Sequence, residues 1–263
     1  MIYVTGDTHG DFGRFNAKRF PQQKELTRDD YVIICGDFGG IWSMTPTPEE
    51  RYTLSWLESK PFTVLFCDGN HENFDRLKRF PIVSFHGGKA HRICENVYHL
   101  MRGYVFNMDC TKFFVFGGAK SHDIQDGVLQ PQDYDSLHDM VRDWRRLTQM
   151  GKIMRMNHVS WWSDELPKKR EIDRAKRNLQ KYDYNVDYII SHSTALCFEQ
   201  LMYRDCEPNI LNRFFDSILE HGICFKRWYC GHYHQDRDLN PKMHLIYHDI
   251  IPIPSVQQEN ANE

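Results

Sequence analysis

Five short apolar runs, each closed by a small residue and then by Asp, Asn or His, constrain this chain more than any other feature of its sequence. The runs are Ile2–Thr5, Tyr31–Cys35, Phe62–Cys67, Asp187–Ile190 and Arg227–Cys230. They are too short for helices and rich in β-branched and aromatic residues, so they read as buried strands. Their endings are Gly6-Asp7-Thr8-His9-Gly10, Gly36-Asp37-Phe38-Gly39-Gly40, Gly69-Asn70-His71-Glu72, Ser191-His192-Ser193 and Gly231-His232-Tyr233-His234. In open α/β sheets, ligands bind in the crevice beyond the carboxyl ends of the strands. Glycine there lets the backbone turn sharply and come close to a bound group. The strand ends therefore aim carboxylates, an amide and imidazoles at one place.

Asp7 and His9 are two residues apart, so on an extended strand end they point the same way and can chelate one ion; His232 and His234 share the spacing. Imidazole, carboxylate and amide oxygen without thiolate suit Mn, Fe, Zn or Ni better than an oxygen-loving Mg or Ca site. The candidate ligands are too many for one ion and enough for a pair sharing a carboxylate.

Helical patterns alternate with the strands. Thr47 can cap a helix with Pro48 at its first position and Glu50 completing a capping box, after which Tyr52, Trp56 and Leu57 fall on one face. Pro208 opens a second pattern, with Ile210, Leu211, Phe214, Phe215, Ile218 and Leu219 on one face and Gly222 as its stop. From Ile82 to Phe116 the pattern changes to short strands joined by turns at Gly87-Gly88 and Arg102-Gly103. The implied class is α/β: two packed mixed sheets with helices outside. A single domain over 1–263 carries a helical insertion or cap at about 121–165, where Tyr134, Leu137, Val141, Trp144 and Leu147 recur at helical spacing between Gln130 and Met150.

Composition narrows the function classes. With 33 Lys and Arg against 36 Asp and Glu, no global basic field recruits nucleic acid or anionic lipid. The short apolar runs exclude a membrane-spanning helix. The N-terminus has neither the basic region nor the apolar stretch of a signal peptide. None of the 8 cysteines forms a C-x-x-C pair, which suits a reduced, cytoplasmic protein.

The ordered pattern Asp7-x-His9, Gly36-Asp37, Gly69-Asn70-His71-Glu72, His192 and Gly231-His232-x-His234 resembles the calcineurin-like metallophosphoesterases. That resemblance implies a β-sandwich flanked by helices with a two-metal site at the strand ends, where Asp7, His9 and His234 hold one ion, Asn70, His192 and His232 hold a second, and Asp37 bridges them. The metal is Mn or else Fe, Zn or Ni. The implied activity is hydrolysis of a phosphomonoester or phosphodiester by a metal-bridging hydroxide, with His71 as general acid at the leaving oxygen. Lys120, His122 and Arg155 either add charge around a phosphate ester, a nucleotide-like one among the candidates, or are solvated surface groups. The chain departs from the protein Ser/Thr phosphatases after Asp37. Gly40 stands where their histidine-orienting carboxylate is expected, and their phosphate-gripping Arg is missing. Asp68, Glu72 and Asp75 are the carboxylates near His71 in sequence.

Two other readings compete. A nuclease on single-stranded nucleic acid would use Arg142, Arg145, Arg146, Lys152 and Arg155 with Trp144, Trp161 and Trp162 as a backbone track and stacking platform. The plainer account turns Trp144 to the core and the arginines to solvent. A non-catalytic interaction module on the same scaffold would show lost ligands, and none is lost. No feature of the pattern sets an oligomeric state.

Overall fold

Each of the five apolar runs forms a strand in the computed structural model, which describes residues 1–254. Residues 255–263 of the expected 1–263 domain lie outside the described residues. In chain order the strands are β1 (Ile2–Thr5), β2 (Tyr31–Ile34), β3 (Thr63–Phe66), β4 (Ile82–Phe85), β5 (Gly88–Cys94), β6 (Val97–Leu100), β7 (Tyr104–Met108) and β8 (Thr111–Phe116). They continue with β9 (Val128–Leu129), β10 (Arg155–Met156), β11 (Tyr188–Ser191), β12 (Arg227–Cys230), β13 (Arg237–Asn240), β14 (Met243–Leu245) and β15 (Ile250–Ile253). The helices are α1 (Pro48–Glu58), α2 (Phe74–Leu77), α3 (Leu137–Gln149), α4 (Lys169–Gln180), α5 (Leu196–Met202) and α6 (Ile210–Glu220).

Two large mixed sheets result, in the orders β15-β1-β2-β3-β6-β5-β4 and β13-β14-β12-β11-β8-β7. Within the first, β1, β2, β3 and β6 run parallel; within the second, β8, β11, β12 and β14 do. Strand alternation sorts the side chains. Val4, Ile33, Leu65, Phe113, Val115 and Ile190 meet between the sheets. Tyr3, Val32, Ile34 and Phe66 point outward to Leu57 of α1 and Leu77 of α2. On the other side Phe114, Phe116, Ile189 and Trp228 pack on α4 and α6. Because both faces of these strands are covered, they read as continuous apolar runs. The helix–sheet–sheet–helix order agrees with the expected sandwich, and among the described residues no helix is long and apolar enough to cross a membrane.

Some local expectations need correction. Thr47 caps α1 through the amide of Glu50, but Glu50 does not fold back to complete a box; it is buried and its Oε2 accepts from Arg76 Nη1 at 2.6 Å. Tyr52 is 73% exposed and does not share the buried face of Leu57. The helix expected from Gln130 begins only at Leu137, where Ser136 caps it; Pro131–Asp133 is a separate 3-10 turn. The 121–165 segment also holds a small two-stranded sheet, β9 with β10. The cysteines are free, and Cys35, Cys67 and Cys230 are buried, as their apolar settings suggest.

Candidate metal centre

The loop after β1 does not continue as an extended strand. Its amides turn onto the loop after β2: Thr8 and His9 donate to the Asp37 carbonyl at 3.2 and 2.8 Å, and Gly10 to that of Phe38 at 3.0 Å. His9, Asp37, His232 and His234 take left-handed backbone angles, with φ of +45, +47, +69 and +50°. Non-glycine residues avoid that region at a cost of about 1–2 kcal/mol each. The convergence of Asp7 with His9 thus arises from a curled loop held by backbone hydrogen bonds, not from extended spacing, and the loop that carries His232 and His234 is curled likewise.

Three glycines clear the space. A Cβ at Gly36 would lie 2.2 Å from the His192 ring, one at Gly69 2.0 Å from Asp37 Oδ1, and one at Gly231 2.2 Å from Asp7 Oδ1. With backbone this close, two groups of ligand-type atoms assemble within 4.8 Å of one another: Asp7, His9 and His234, and Asp7, Asp37 and His192. His9 Nε2 is 3.0 Å from His234 Nε2, which is 3.2 Å from Asp7 Oδ2. His192 Nε2 lies 3.2 Å from Asn70 Oδ1 and 3.3 Å from Asp37 Oδ2. Its Nδ1 is 2.8 Å from the Cys35 carbonyl, the arrangement that fixes a tautomer with Nε2 facing the cluster. His232 is set differently. Its ring lies 4.9 Å from that of His192, while its Nε2 faces His122 Nε2 at 3.1 Å.

Asp7 and Asp37 are both buried. Burial opposes charge on Asp37 and His192 alike, yet their mutual attraction wins. The carboxyl is held below the usual carboxylate range, and the imidazole is drawn up to about 10. Desolvation and the His192 charge hold His232 well below its ordinary value and so neutral, the form that ligates metals. Buried carboxylates that demand positive charge, with imidazoles and an amide oxygen beside them, are a donor set that fits transition-metal ions.

Sequence reasoning missed the residues that orient this set. Asn70 Nδ2 donates to Ser121 Oγ at 3.3 Å, and Ser121 donates its hydroxyl and amide to buried Glu165 at 2.6 and 3.0 Å. Asn70 Oδ1 is thereby turned to His192. Arg14 cups the first loop, donating to Thr5 Oγ1 at 2.8 Å and to the Asp7 carbonyl at 2.6 Å. These contacts join distant segments and leave no local pattern in the sequence.

His71 is half-buried at the rim, its amide bonded to Asp37 Oδ1 at 2.8 Å and its ring 5.4 Å from that of His9 and 6.1 Å from that of Trp42. The three carboxylates near it in sequence are all engaged elsewhere. Asp68 takes His99 and Arg102, Glu72 takes the Phe38 amide, and Asp75 takes His158 and Trp162. Burial lowers the His71 value, Asp37 raises it, and Arg155, His9 and Asp123 act more weakly. Arg155 is itself paired with Asp123 and with the Ser160 carbonyl. Lys120 pairs with Glu207 at 2.6 Å, with both side chains open to solvent.

Several residues of the basic aromatic set have partners of their own. Trp162 is fully buried, Trp144 donates to the Met154 carbonyl at 2.8 Å, and Arg142 and Arg146 pair with Asp139 and Asp143 of their own helix.

Comparison with known proteins agrees with this geometry. Lariat debranching enzyme A of Xenopus laevis is 26% identical over 155 residues, a stretch covering 54% of this chain and 27% of that protein. The matched stretch thus spans about a quarter of that relative's length. The family model described as calcineurin-like phosphoesterase matches residues 1–236, from the first ligand-bearing loop through the last. On that match, reinforced by the sandwich and by the converging strand ends, the chain belongs to the calcineurin-like phosphoesterase family.

Proposed function

We propose that this chain is a two-metal hydrolase of small phosphate esters, mono- or diester, with Mn as its preferred metal. Asp7, His9 and His234 would hold one ion, Asn70, His192 and His232 the other, and Asp37 would be shared. His232 stands with its ring 4.9 Å from that of His192 and its Nε2 3.1 Å from His122 Nε2. The observation that carries the reading is the meeting of Asp7, His9, Asp37, His192 and His234 donor atoms within 4.8 Å groups at the ends of strands from both sheets. Bound divalent ions would supply the positive charge that grips phosphoryl oxygens and makes water nucleophilic at neutral pH.

The chain's own groups do the rest. His71, kept neutral by burial, still has one ring N–H to donate to the departing oxygen, and a bound phosphate's negative charge draws its proton affinity back up. Arg155, held by Asp123, brings a cation close enough to act on His71 and on an anionic substrate. The 121–165 segment acts as a cap, contributing Ser121, His122, Asp123 and Arg155. The burial of Trp162 and the pairing of Arg142 and Arg146 with Asp139 and Asp143 support small esters over a nucleic-acid strand.

Protein loaded with Mn should hydrolyse p-nitrophenyl phosphate or its diester, and Asp37→Asn should abolish turnover and lower metal content. Retained activity in that variant overturns the shared role. His71→Ala should keep its metal and lose about 10²–10⁴-fold in rate, most with poor leaving groups. Loss of metal instead would refute the separation of acid from ligand.

A further inference from the structure

A cavity of about 830 Å³ opens beside the metal centre, with His232 and His234 in its wall. One side is the loop after β8, carrying Lys120; the other is the end of α5 and the loop beyond it, carrying Glu199, Asp205 and Glu207. The volume is that of pockets which enclose a drug-sized molecule. His71, on the leaving-group side in the proposed mechanism, does not line it.

The charge of the wall is opposite to what a phosphate needs. Three carboxylates face one ammonium, and that ammonium is already neutralised by Glu207 at 2.6 Å. Glu199 Oε2 accepts from Asn212 Nδ2 at 3.1 Å, a bond that orients it without cancelling its charge. Tyr203, 47% exposed, presents a ring 6.2 Å from that of Tyr233, adding apolar surface. The phosphoryl group belongs at the histidines and aspartates, so whatever fills this cavity is the organic part of the ester.

We infer that the cavity is the subsite for the substrate's organic substituent and selects a cationic or neutral group, rejecting one with a further negative charge. The inference rests on the phosphoesterase reading of the adjoining centre. It also disfavours a polynucleotide on this side, because each added nucleotide brings a phosphate against the acidic wall.

Three p-nitrophenyl phosphodiesters with the same leaving group test it: the choline ester (cationic), the ethyl ester (neutral) and the carboxyethyl ester (anionic). At low salt and with Mn, kcat/KM should fall in that order. In the double variant Asp205→Lys with Glu207→Lys, the choline-to-carboxyethyl ratio should drop about tenfold, and added salt should shrink the difference, as expected for exposed charges. An unchanged ratio in a variant with wild-type melting temperature overturns the subsite. So does a wild-type preference for the carboxyethyl ester. Failure of wild-type protein to hydrolyse any of the three, or p-nitrophenyl phosphate, would instead strike the phosphoesterase reading itself.

Discussion

A methyl group at Gly69 would lie 2.0 Å from Asp37 Oδ1 and 2.5 Å from the Asp37 amide nitrogen, distances no side chain tolerates. Gly69→Ala must therefore push Asp37 aside while leaving every ligand-type residue present. The expected outcome is a folded protein whose Mn affinity, measured by calorimetric titration, falls about 10–100-fold, the range seen when support for a ligand is lost. Wild-type affinity would mean that Asp37 is not held by this contact. At this scale the sequence was informative: residue types and order singled out Asp7, His9, Asp37, Asn70, His192 and His234, which the fold brings together. The roles of Ser121, Glu165 and Arg14 were hidden because each acts across a large sequence separation. Asp7 and His9, paired by their two-residue spacing, meet through a different backbone, curled where an extended one was expected.

Between elements, the buried pair of Glu50 on α1 and Arg76 on α2 fastens the helices that cover the first sheet. Arg76 also donates to the Ser43 carbonyl at 2.9 Å. Glu50→Ala would leave a buried guanidinium without its counter-charge, a change costing about 3–5 kcal/mol. It should appear as a lower denaturation midpoint with little change in slope; an unchanged midpoint would show that solvent reaches Arg76. In the sequence Glu50 resembles half of a capping box, since the local pattern cannot reveal a partner on another helix. β13, β14 and β15 went unseen for a related reason. They are three or four residues long, and β13 is exposed and polar along half its length, so tertiary pairing rather than pattern makes them strands.

Across the whole molecule, a buried relay runs beneath the centre: His91 Nδ1 faces His99 Nδ1 at 2.9 Å, and His99 Nε2 faces Asp68 Oδ1 at 3.0 Å. Burial, then the charge of His99, lowers the His91 value from 6.5 to about 4. Between those values the unfolded chain binds a proton that the folded chain refuses, so this contribution is intact above pH 6.5 and is lost as pH falls toward 4. Asp68, depressed by Arg102 and His99 against the effect of burial, loses its contribution only below its ordinary value of 3.8. Melting temperature should therefore drop from pH 6.5 toward 4.5, and His91→Gln should flatten that slope; an equal slope in the variant would assign the effect elsewhere. The layer order was legible because covered strands must be apolar on both faces. The neighbour order within each sheet was not, since the runs do not encode which strand lies beside which.

Asp7, Asp37 and Asn70 follow strands of one sheet, whereas His192, His232 and His234 follow strands of the other. Neither sheet alone owns a full complement of donors, so the centre is a clasp across the seam of the sandwich. It exists only while the two halves stay in register, and a slippage of about one residue's rise, some 3.3 Å, would unhook it with both cores still packed.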